Sequence, residues 1–124
     1  MRVADGIRTR GFRKWYEGRL LRGHGHMALT FLCTVGILGA LESASDATGA
    51  ADRLADLGLA ALCTAAGVWS LRRYLFLLSQ AEAVAHQAEC PGCGTYARLA
   101  LVRATPTGAC VRCKACGREW EIVE

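Results

Sequence analysis

The chain has 124 residues, of which 52% are hydrophobic, with a mean hydropathy of +0.21 and a formal net charge of +4. That length allows one modest domain or two small units, and the hydropathy is high for a small soluble protein. Five of its seven cysteines fall in the last 35 residues, which argues against a disulfide framework and for a metal site in a reducing compartment.

Residues 1–26 carry seven basic side chains against only Asp5 and Glu17. Within this segment Phe12, Trp15, Tyr16 and Leu20 recur at helical spacing, so they share one helix face, with Arg13, Lys14 and Arg19 toward its flanks. An aromatic face beside basic flanks suits a membrane interface, and Phe12, Trp15 and Tyr16 are assigned to one. The competing reading is a soluble amphipathic helix packed on its own protein. No cleavage site follows the first apolar run, so no cleavable signal peptide is expected.

Two uncharged runs of fifteen residues follow, 27–41 and 57–71, separated by an acidic stretch. Fifteen helical residues cover about 22 Å, short of the roughly 30 Å of a bilayer core, so each run must draw on its flanks. The resulting spans are about 25–45 and 54–74, and the hairpin they form is placed at 27–78. Neither run has a polar face, and a helix that is apolar all round must be covered all round. Lipid is the expected cover, and a buried helical bundle is the alternative.

The charges orient the hairpin. The connection carries Glu42, Asp46, Asp52 and Asp56 with only Arg53, while Arg72 and Arg73 close the second span. By the positive-inside rule both termini face the cytoplasm, which places the chain in the inner membrane with Arg72 and Arg73 at the interface. Gly36, Gly39 and Ala40 in one span, and Gly58, Ala61, Ala65 and Gly67 in the other, would let the helices approach closely. Cys33 and Cys63 fall at different depths, so no disulfide between them is expected. Residues 79–89 read as a helical stalk.

Residues 90–124 hold five cysteines, one more than a tetrahedral site takes. Cys90 and Cys93 form one pair, and either Cys110 with Cys113 or Cys113 with Cys116 gives an acceptable second. Glycine decides. Gly94 follows Cys93 and Gly117 follows Cys116, as the positive φ after the second thiolate of a knuckle requires, whereas Lys114 follows Cys113. The ligands are therefore Cys90, Cys93, Cys113 and Cys116, with Cys110 spare. Between and after the knuckles, residues 95–103, 109–113 and 118–123 read as three strands, with a turn in "ATPTG" and with Trp120 and Ile122 on one face. His86 is a conceivable replacement ligand but reads as a solvated stalk residue, and His24 and His26 mark the membrane entry.

"CPGCGTY" followed by "VRCKACGREW" resembles a zinc ribbon, most of all the short bacterial ribbons with two C-x-x-C-G knuckles. The resemblance covers about 35 residues and implies a structural Zn2+ held by the same four cysteines. Ribbons serve many functions, so the likeness speaks for a fold. A site closed by four thiolates leaves no open position for catalytic zinc.

The fold class expected is thus a mostly α membrane protein, a two-helix transmembrane hairpin followed by a small β zinc ribbon. No Ser/His/Asp set, phosphate loop or pair of carboxylates in the spans points to catalysis, so no enzyme and no small-molecule substrate are expected. The expected function is docking: an accessory or assembly subunit of a larger membrane complex, displaying a cytoplasmic ribbon. The alternatives are a membrane-tethered nucleic-acid binder, using Arg98, Arg103, Arg112, Lys114 and Arg118, and a rubredoxin-like electron-transfer module holding iron.

Overall fold

The computed structural model describes residues 2–124 and contains three helices and a three-stranded sheet: α1 (Val3–Arg10), α2 (Phe12–Asp46), α3 (Ala50–His86), β1 (Leu99–Thr105), β2 (Gly108–Cys113) and β3 (Glu119–Val123). They form two compact units. One is the helical hairpin Arg22–Phe76. The other joins the described residues up to Leu21 with Leu77–Glu124.

In the hairpin, α2 and α3 run antiparallel, as their contacts show. Tyr74 lies over Gly23, the Ser70 hydroxyl bonds the His26 carbonyl at 2.9 Å, and Ser43 bonds Asp56 at 2.8 Å. The seam is made of small side chains: Cys33, Ala40, Ala44, Ala60 and Ser70 are buried. Cys33 packs on Gly67, and Cys63 packs on Gly36. The two sulfurs are thus in separate contacts, and both cysteines are free. Of the small residues singled out above, Gly36, Ala40 and Gly67 serve the close approach, while Gly39 and Gly58 face open space and Ala61 and Ala65 are exposed. The connection at 47–49 is closed by Arg53, whose guanidinium donates to the Ala44 and Ala47 carbonyls and so satisfies backbone acceptors at the end of α2.

The large apolar side chains of this unit point outward: Phe31, Leu32, Leu38, Leu62 and Trp69 are all at least 60% exposed. Both helices are long and apolar enough to cross a membrane, and only 17% of each apolar window is buried within the protein. The helices also run beyond the expected spans. At 35 and 37 residues, α2 and α3 are about 52 and 55 Å long. Helical propensity continues through the charged flanks after the apolar run has ended.

The second unit corrects the reading of the N-terminal segment. Phe12 and Trp15 are 5% and 4% exposed and belong to one core with Val3, Ile7, Val84, Leu99, Val111 and Ile122. Tyr16 is half-buried against the same cluster. These aromatics cover the sheet instead of facing an interface. The reason is the smallness of the sheet: three short strands cannot close a core alone, and ring burial supplies much of what is missing. Gly11, at φ 80°, ends α1 and lets the chain restart as α2, which folds α1 back toward the sheet. Gly6 lies against Trp15, and a Cβ there would overlap the indole.

The sheet has the order β1-β2-β3, antiparallel throughout, with Leu99 opposite Cys113 and Val111 opposite Trp120. Ile122 is buried and Trp120 half-buried, on the expected common face. β1 starts at Leu99, later than the residue pattern predicts, because Ala97 takes a left-handed φ of 58°. The turn is the two residues Pro106 and Thr107. Gly108 is already in β2, where any side chain would overlap the Ile122 carbonyl, so its glycine serves close strand approach. Gln87, after α3, binds β3 through its side-chain amide, which accepts from the Val123 N–H at 2.8 Å and donates to the Val123 carbonyl at 3.0 Å. The Trp120 indole donates to the Gln87 carbonyl at 2.8 Å.

Candidate metal centre

Cys90 follows the end of α3 and starts the first knuckle; Cys113 ends β2 and starts the second. The two knuckles repeat one backbone pattern. The Cys90 N–H donates to the Thr95 carbonyl at 3.1 Å, and the Cys113 N–H donates to the Arg118 carbonyl at 2.8 Å. Gly94 N–H returns to the Cys90 carbonyl at 3.0 Å, and Gly117 N–H to the Cys113 carbonyl at 3.1 Å. The Gly92 and Ala115 amides each point at the first sulfur of their knuckle, at 3.4 Å. Gly94 and Gly117 have φ of 70° and 79°. At both positions the turn takes the left-handed φ that glycine adopts without strain.

This geometry brings Cys90, Cys93, Cys113 and Cys116 together, with all four sulfurs within 4.8 Å of one another. Cys90 and Cys116 are 3.5 Å apart, and Cys93 and Cys113 are 3.6 Å apart. Four sulfurs placed tetrahedrally at about 2.3 Å from a zinc ion would be about 3.8 Å apart, so the donor set fits a tetrahedral thiolate centre. Cys90 and Cys113 are buried, while Cys93 and Cys116 are exposed. Cys110 lies outside the group, half-buried on β2 opposite Arg103 and Glu121.

The surroundings of Cys90, Cys93 and Cys116 shift their thiols in opposing directions. The Thr95 hydroxyl and amide lower the Cys93 thiol to about 6. Backbone amides, Cys93 first and then Gly92, lower Cys90 against the opposing effect of burial. The Arg118 amide also pulls Cys116 down, but the sulfurs of Cys90, Cys93 and Cys113, with burial, outweigh it and push that thiol up to about 11. Four thiolates this close repel one another, and a divalent ion removes the conflict by binding all four.

The other residues singled out from the sequence lie elsewhere. Phe12, Trp15 and Tyr16 are in the core described above. Arg72 and Arg73 are exposed on α3, with the Arg73 guanidinium 5.5 Å from the Phe76 ring centroid. His86 is exposed and sits 3.8 Å from Glu82, outside the cysteine group. Sequence reasoning missed α1 as part of the ribbon's support, although Val3, Ala4 and Ile7 are spaced for one helix face. It also missed Thr95 beside Cys93 (3.1 Å) and Gln87 on β3, which no local pattern announces. Comparison of the chain with family models, curated proteins and solved structures finds no match.

Proposed function

We propose that the chain is a small integral membrane protein, anchored by its hairpin, that presents a ribbon closed by structural zinc as a docking module. The observation that carries this reading is the pairing of a closed four-thiolate donor set with two helices whose large apolar side chains face outward. The first offers no open coordination position for substrate, and the second needs an apolar cover. An accessory or assembly subunit of a larger membrane complex fits both. On this reading the acidic connection faces away from the cytoplasm and both termini face it, with Arg72 and Arg73 at the inner boundary.

A mild-detergent purification of the tagged full chain tests it, with Cys113→Ser run in parallel. A partner that co-purifies stoichiometrically with the wild type, and is lost when the ribbon is unfolded, supports docking through the ribbon. A partner kept by Cys113→Ser places the contact in the membrane. Absence of a stoichiometric partner, or release of the chain from membranes by alkaline carbonate, defeats the proposal. Metal analysis of the same sample separates zinc from iron, whose oxidised four-thiolate form is coloured.

A further inference from the structure

Among the described residues, the outer edge of β1 is free. Gln87 caps β3 at Val123; β1 is the other outer strand, and among the described residues the outward backbone groups of residues 99–103 make no hydrogen bond beyond the sheet. A groove of about 540 Å³ runs along this edge, lined by five consecutive residues, 99–103, on one side and by the end of α1 on the other. Side chains on one face of a strand alternate, so a groove that touches five in succession follows the strand's edge.

The groove is basic. Arg8, Arg103 and Lys114 line it, and no carboxylate does. All three are exposed, and among the described residues none makes an ion pair or a side-chain hydrogen bond. Exposed sheet edges are commonly guarded by positive charge against pairing with like chains. Here the guard also selects. A second copy pairing along β1 would bring Arg103 against the same basic groups, which disfavours self-association. A nucleic acid would need stacking platforms, and the groove lining has no aromatic residue.

We propose that the free edge of β1, flanked by Arg8, Arg103 and Lys114, takes an extended acidic segment of a partner protein as a fourth strand. Main-chain hydrogen bonds would give the pairing, and the cations would choose the charge. The irregularity in the β1–β2 register between Leu101 and Arg103 bends the strand there, so the added segment is short, about four residues. This inference rests on the docking reading above and names the surface and the partner chemistry.

The test is a titration of the isotope-labelled, zinc-loaded full chain in zwitterionic micelles with a blocked heptapeptide alternating Glu and Val. Saturable shifts and slowed exchange are expected at the amides of residues 100–102. A version with Pro at the central position should bind at least tenfold more weakly, because it removes a ladder donor. Arg8→Glu with Arg103→Glu should also weaken the acidic peptide at least tenfold while keeping one metal per chain. Equal binding of the proline version would mean charge attraction without strand pairing and would overturn the proposal. So would preference for a Lys/Val peptide, or tighter binding of a single-stranded oligonucleotide at the same amides. The titration reads the groove whether or not a partner co-purifies. An unresponsive edge in a chain that does carry a partner would remove this inference alone.

Discussion

The two units put their apolar residues to opposite uses. The ribbon unit buries its large side chains, with Ile122, Val3, Val84 and Val111 at 1% exposure or less. The hairpin buries small ones, Ala40, Ala44, Ala60 and Ser70, and turns Phe31, Leu38 and Leu62 outward. In water the first arrangement is driven by removing apolar area from solvent. The second leaves its large side chains to be covered by apolar surroundings, and its helix contacts rest on close packing of small residues. One chain thus carries two packing arrangements, and each should be breakable without the other.

The largest expected break is at the metal. Cys113→Ser and Cys116→Ser should each lose the ion and unfold the ribbon unit, removing free energy on the order of 10 kcal/mol, while the hairpin stays intact. Cys110→Ser should keep one metal per chain and the native sheet. Metal stoichiometry with amide spectra of the full chain checks both. Release of the ion by Cys110→Ser alone would overturn the assignment of the knuckles.

That assignment was legible in the sequence because a knuckle is local: its ligands lie three apart, and the glycine that permits its turn follows directly. The two long apolar helices were legible for the same kind of reason, since an uncharged run is read from its own residues. What failed was long-range. The pattern of Phe12, Trp15 and Tyr16 shows that one helix face is covered, but not by what. The covering residues include Val111 and Ile122, about a hundred positions away, and no periodicity links them. Gln87 was invisible for the same cause, as its partner Val123 is 36 residues on. The helix ends were missed because hydropathy marks where lipid would stop, and helices need not stop there.

The two tryptophans turn the contrast into a measurement. Trp15 is 4% exposed and Trp69 is 60% exposed. Trp15→Ala should destabilise the ribbon unit by about 3–5 kcal/mol, as for large core truncations. Trp69→Ala should leave that unit's stability within about 0.5 kcal/mol. Amide exchange in β2 and β3 reads both. Equal effects would mean that Trp15 does not close this core, and the N-terminal aromatics would return to the membrane interface.

The smallest effect probes the hairpin from within, by comparing two glycines on the same helix. A methyl group at Gly36 would lie 3.1 Å from the Cys63 sulfur, whereas one at Gly39 meets nothing within 4 Å. Both substitutions gain helix propensity and both add one apolar carbon, so those terms cancel in the comparison. What remains is the contact between the helices. Gly36→Ala should therefore be less stable than Gly39→Ala by about 1 kcal/mol, in the range of measured contacts between helices in membranes. Removing the opposing sulfur should abolish the difference: Cys63→Ala in the Gly36→Ala background gives the methyl room, and the double-mutant coupling isolates that pair. Reversible unfolding of the full chain in mixed micelles, followed by helix circular dichroism, supplies the numbers. If Gly39→Ala cost as much as Gly36→Ala, the seam would not lie along Gly36 and Cys63. The buried small residues would then mark a rotation of α2 different from the one described.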